Sequence, residues 1–166
     1  MLITPEYIEL NRILHEQRKD YGSRVRVERW RDILKYCDDG DRILDYGCGK
    51  GAMRKHLGDI VTNYDPVTFP GDPEPHPVVA CLDVMEHIEP ECLNDVLKHI
   101  ASLTQKVAYF VICKKEGSKR LADGRPAHLI VETPEWWTDR LSDYFSSVEF
   151  VDSKADERND MSFICR

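Results

Sequence analysis

At 166 residues, 32% of them charged and 42% apolar, the chain has the size and mix of one soluble globular domain with a real core, and leaves no room for a second target-recognition domain. A formal charge of −7 disfavours non-specific binding along a nucleic-acid backbone, although it leaves recognition of a nucleotide or chain end open. The longest apolar stretch, Val107 to Cys113, is too short to cross a bilayer, the N-terminus lacks a signal-peptide layout, and six cysteines without a C-x-x-C pair read as reduced, buried thiols of a cytoplasmic protein. In chain order, Thr4-Pro5-Glu6 is an N-cap, a proline at the first helical position and an early acid. Tyr7, Leu10, Ile13 and Leu14 follow at helical spacing until Tyr21-Gly22-Ser23. A second amphipathic helix places Trp30, Ile33, Leu34 and Cys37 on one face and stops at Asp38-Asp39-Gly40. Strands are expected at 42–46, 60–64, 78–82 and 106–113, with helices at about 50–57, 89–103 and 133–145. Val148–Val151 and Ser162–Cys165, joined by a polar loop, form a closing antiparallel hairpin. This alternation predicts an α/β fold, a mostly parallel sheet with helices on both faces. The organisation is a single domain, with a helical cap over 1–40 and an α/β core over 41–166.

The most informative segment is Arg42-Ile43-Leu44-Asp45-Tyr46-Gly47-Cys48-Gly49-Lys50-Gly51. A short strand ends in an acid and three alternating glycines, and a helix follows. Such a turn delivers backbone to a small ligand near a helix N-terminus, the glycines taking positive φ. The spacing is G-x-G-x-G, not the G-x-G-x-x-G that seats a pyrophosphate. Asp65, twenty residues beyond Asp45, ends the second strand where a nucleotide-binding fold places the acid that takes ribose hydroxyls. Two carboxylates on one cleft suit a ligand with an ammonium group and a ribose diol.

The turn resembles motif I of the class I S-adenosylmethionine (SAM) methyltransferases. The segments RILDYGCGKG, YDPV, CLDVMEHIEPECLNDVL and LADGRPAHLIVETPEWW occur in the order seen in compact bacterial and phage-type members, covering about Tyr21 to Phe145. The resemblance implies a Rossmann-like sheet and SAM as cofactor, held at Asp45, Tyr46, Gly47, Cys48, Gly49, Asp65, Pro66, Leu82 and Asp83. It also implies that the proline-rich stretch 67–77, with prolines at 70, 73, 75 and 77, replaces the third strand and its preceding helix.

Asp83, Glu86 and His87 would share one face if the chain turned helical there. With His128 from across the cleft they make a divalent-metal site of mixed oxygen and nitrogen ligands. The set is similar to the E-x-x-E-H of small-RNA terminal 2′-O-methyltransferases and of ubiquinone-biosynthesis O-methyltransferases, Asp83 standing for the first glutamate. Without metal, His87 or His128 is the general base and Glu86 positions the turn. The basic loop 114–125 offers Lys119, Arg120 and Arg125 to an anionic acceptor group, and Trp137 to a pocket wall. The expected activity is O-methylation of a small polyhydroxylated or anionic acceptor, with no membrane partner and no extended nucleic acid. N-methylation, methylation of a nucleic-acid end, and a catalytically idle SAM-binding partner subunit remain open at this stage.

Overall fold

In the computed structural model the described residues are 1–23, 25–151 and 160–166. Among them the chain runs α1 (Pro5–Gln17), α2 (Val27–Leu34), β1 (Ile43–Tyr46), α3 (Ala52–Leu57), β2 (Val61–Tyr64), β3 (His76–Leu82), α4 (Leu93–Leu103), β4 (Thr104–Cys113), α5 (Pro134–Ser142), β5 (Val148–Val151) and β6 (Asp160–Cys165). Thr4 caps α1 by accepting from the Tyr7 amide, and Thr133 caps α5 by accepting from that of Trp136, each followed by proline at the first turn. The helix expected from residue 50 starts at Ala52, because Gly51 holds φ 68, a left-handed value outside the helix. The helix expected from Glu89 divides into a 3-10 turn at Pro90–Cys92 and α4. The polar connector of the closing hairpin, 152–159, lies outside the described residues.

The strands form one sheet in the order β2-β1-β3-β4-β6-β5. β2, β1, β3 and β4 are parallel, whereas β6 pairs antiparallel with both β4 and β5. Among the described residues no strand lies beyond β2. Residues 67–75 instead form an irregular connection from β2 to β3, its first turn closed by an isolated bridge between Asp65 and Phe69. Among the described residues the third strand of the family's sheet is therefore missing, as the prolines predict.

Strand alternation divides the core in two. Leu44, Val79, Cys81, Phe110, Ile112 and Phe163 face α4 and α5, packing on Leu97, Ile100, Trp137 and Leu141. Ile43, Val78, Ala80, Tyr109, Val111 and Ile164 face the other way, against Trp30 and Ile33 of α2 and Met53 of α3. α1 belongs to neither face. Its Tyr7, Leu10 and Leu14 join Tyr21, Leu121 and Ala127 in a third cluster that roofs the carboxyl ends of the strands. Chain direction across the sheet reverses at β1, with β2 on one side and β3 on the other. In such sheets that switch point opens a crevice for ligands.

Candidate active site

A cavity of about 790 Å³ occupies this crevice, within the range of small-molecule sites. Its wall includes all nine residues assigned to the cofactor from sequence: Asp45, Tyr46, Gly47, Cys48, Gly49, Asp65, Pro66, Leu82 and Asp83. The glycine turn is pinned by the amides of Gly47 and Cys48, which donate to the Tyr64 carbonyl at 2.8 and 3.0 Å. Gly47 and Gly49 hold φ 75 and 53. What they admit, however, is the chain itself. A Cβ on Gly47 would stand 2.4 Å from the Val84 side chain, and one on Gly49 would stand 2.5 Å from the Gly22 carbonyl oxygen. The Lys50 amide completes that contact by donating to the same oxygen at 2.6 Å.

Asp45, the last but one residue of β1, is almost wholly buried. Desolvation, reinforced by Asp65, raises its carboxyl to about 7. Asp65 already accepts from the amides of Gly49 (3.2 Å), Val67 (2.9 Å) and Thr68 (3.0 Å). A carboxylate has about four acceptor positions, so one remains for a ligand hydroxyl.

After β3 the chain does not enter the expected helix. Asp83 takes φ 56, and Met85–His87 form a single 3-10 turn. Two amides of the returning loop, Leu129 and Ile130, donate to the Glu86 carbonyl at 2.7 and 3.1 Å, bringing His128 beside the turn. One atom each from Glu86, His87 and His128 lies within 4.8 Å of the others. His87 Nδ1 donates to the Ala127 carbonyl and His128 Nδ1 to that of Lys115, both at 2.6 Å. A carbonyl only accepts, so both rings carry a proton on Nδ1, which leaves Nε2 as the nitrogen that can meet a ligand. Glu86 accepts from the Cys113 amide through Oε1 at 3.3 Å, while its buried Oε2 has no hydrogen-bond partner among the described residues. Burial, then the nearby Asp83, raises the Glu86 carboxyl to about 8; burial lowers His87 to about 4, against the pull of its bond to Ala127.

Asp83 is not among these converging atoms, which corrects its place as a metal ligand. Its carboxylate accepts from Arg26 Nε at 2.9 Å, and Arg26 Nη1 reaches Asp160 at 2.6 Å. Arg26 and Asp160 line the cavity and went unnoticed in the sequence, since 134 residues separate them and no motif connects them. The substrate assignments divide. Lys119 is in the wall, but pairs with Asp20 at 2.9 Å and lies 5.1 Å above the Tyr21 ring. Arg120 and Arg125 are not part of the wall, and Arg125 is engaged by Asp123 and Glu6. Trp137 is fully buried in the core against α4 and β4, not beside the cavity, because adjacent residues of α5 point in different directions and Trp136 takes the outer position.

A family model described as Methyltransferase domain matches residues 14–152. No curated protein matches the chain in sequence. Among solved structures, the DhpI–SAH complex is similar with a TM-score of 0.63 at 14% identity, covering 96% of both chains. The 1,6-didemethyltoxoflavin-N1-methyltransferase of Burkholderia thailandensis, solved with 1,6-didemethyltoxoflavin and S-adenosylhomocysteine, has a TM-score of 0.62 at 13% identity over 99% of this chain and 90% of that one. A SAM-dependent methyltransferase of Archaeoglobus fulgidus has a TM-score of 0.54 at 18% identity over 83% and 91%. At these identities the likeness is one of fold.

Proposed function

The chain belongs to the methyltransferase domain family, and from that premise we propose that it moves the methyl group of SAM to a hydroxyl oxygen of a small acceptor, the reaction taking place beside Glu86, His87 and His128. SAM occupies the end of the cavity between Asp45 and Asp65. Asp45, once ionised, faces the ammonium group, and the free acceptor position on Asp65 takes a ribose hydroxyl. The observation that carries the reading is the unpartnered Oε2 of Glu86 beside two imidazoles whose Nε2 lone pairs are free. A buried polar atom without a partner costs about 1–3 kcal/mol, so an arrangement that keeps one points to a ligand.

A divalent cation fits these three groups. A carboxylate oxygen and two imidazole nitrogens are ordinary ligands, and each imidazole is oriented by a backbone carbonyl behind it. When bound there, such an ion acidifies a coordinated hydroxyl, as zinc takes water from about 15.7 to about 7. The chain's own residues do the rest. The acceptor oxygen attacks the methyl carbon, the carbon–sulfur bond breaks with its electrons left on sulfur, and S-adenosylhomocysteine results. Where the site holds no ion, the hydroxyl proton leaves to Nε2 of His128 or His87, each held as an acceptor by its bond through Nδ1; with those lone pairs on an ion, the acidified hydroxyl would give its proton to solvent. The roof of α1 and Tyr21 limits water, and fixing oxygen and methyl in line supplies much of the rate.

The wall also bears on the acceptor. Acids outnumber bases there, and Arg26 and Lys119 are already neutralised by aspartates. That balance favours a neutral polyhydroxylated acceptor over an anionic one.

The test is turnover of SAM to S-adenosylhomocysteine with polyol, phenol and amine acceptors, before and after chelation. Turnover with hydroxyl acceptors, lost on chelation and in Glu86→Gln but with SAM still bound, is the expected result. Turnover with amines alone, indifferent to chelation, overturns the oxygen and cation assignments.

A further inference from the structure

Gly117 has no conformational need to be glycine, since its φ lies outside the left-handed range that favours this residue. Its reason is spatial. A Cβ at this position would lie 2.7 Å from Cδ2 and 2.9 Å from Nε2 of His128. The imidazole is held on two further sides: Nδ1 donates to the Lys115 carbonyl at 2.6 Å, and the His87 ring meets it edge to face at 4.8 Å between centroids. The same carbonyl also accepts weakly from Cys113 Sγ at 3.7 Å, which anchors the turn to the end of β4. Residues 115–117 thus form a cradle whose floor is the Lys115 carbonyl and whose side is the bare Cα of Gly117.

We infer that Gly117 is a positioning residue for His128, an inference that rests on the reading of His128 as a group at the reacting end. Adding one methyl group there costs the fold little, because an imidazole is the far end of a side chain and can rotate away. It costs the site more. Rotation gives up the bond from Nδ1 to Lys115, releases the tautomer, and takes Nε2 out of reach of Glu86 and His87. Because a chemical constellation tolerates displacements of only about 0.5 Å, a change that leaves the chain folded disables one of its three converging groups.

Gly117→Ala and His128→Ala, alone and combined, test this with three readouts: affinity for S-adenosylhomocysteine and for Mn²⁺ by calorimetry, and the His128 tautomer from long-range ¹H–¹⁵N NMR spectra of the neutral ring. The inference expects a single Nδ1–H form in the native protein and a tautomer mixture in Gly117→Ala. Mn²⁺ affinity should fall at least tenfold in either single variant and no further in the double, with S-adenosylhomocysteine bound as before. An unchanged His128 spectrum in Gly117→Ala, or Mn²⁺ losses that multiply in the double variant, overturns it. A native protein that binds S-adenosylhomocysteine but no Mn²⁺ sinks the cation half of the proposed function, and the spectra then decide the role of Gly117 by themselves.

Discussion

Asp45 shows at the scale of one residue how burial sets up binding. Its carboxyl, ordinarily at 3.8, stands at about 7 because β1 buries it beside Asp65. Below that value the folded protein holds a proton that a ligand ammonium must expel. Affinity for S-adenosylhomocysteine should therefore rise with pH, approaching tenfold per unit below about 7, and level off above it. Calorimetry in buffers of different ionisation enthalpy should find close to one proton released at pH 6. Asp45→Asn should bind weakly at every pH and release none; retention of the native profile in that variant would assign the titration elsewhere. For the free protein the same shift has the opposite consequence. Between 3.8 and about 7 the folded state binds more protons than the unfolded one, so this group's contribution to stability is lost as pH rises through that window.

At the scale of elements, the glycine turn is where the sequence and the structure differ most instructively. Alternating glycines read as a path for ligand, and the turn does line the cavity, but the nearest atoms to Gly49 are the backbone of Gly22. The turn is thus also a docking point for the segment that follows α1. Gly49→Ala would combine a left-handed conformation, costing about 1–2 kcal/mol for a residue with a Cβ, with a contact that only backbone movement relieves. We expect faster hydrogen exchange across α1 and at least tenfold weaker S-adenosylhomocysteine binding, with the exchange of β3 and β4 unchanged. Weakened binding with native exchange in α1 would return the glycine to a role toward the ligand alone. The turn after β3 also departs from its sequence pattern. Asp83, Glu86 and His87 carry helical spacing, yet Arg26 draws Asp83 aside and the chain completes only a 3-10 turn. The succession of strands and helices, the caps and the loss of a strand in the proline-rich stretch were legible because prolines, glycines and apolar alternation act locally. The partners of Asp83, Lys119 and Trp137 were not, because each is decided by side chains distant in sequence.

Across the whole molecule the parts converge on one end of the sheet. The topological switch at β1 opens the crevice, the glycine turn and Asp65 furnish one side, and the turn after β3 furnishes the other. α1 and Tyr21 close the top, while the loop after β4 brings His128 back. Motif I and the acids at 45 and 65 point from sequence to the end of the crevice proposed for the cofactor, and the structure brings them together in its wall. Of the proposed reacting end, Glu86, His87 and His128 stand in the sequence as residue types, but the orphaned Oε2 and the Nδ1 bonds of the two imidazoles exist only in three dimensions. Both ends must serve one bound cofactor. A crystal structure with S-adenosylhomocysteine tests that most directly. It should show the amino-acid end at Asp45, the ribose at Asp65 and the sulfur turned toward Glu86 and His128. A cofactor whose sulfur faces away from those residues, or a cavity left empty at saturating ligand, would contradict it.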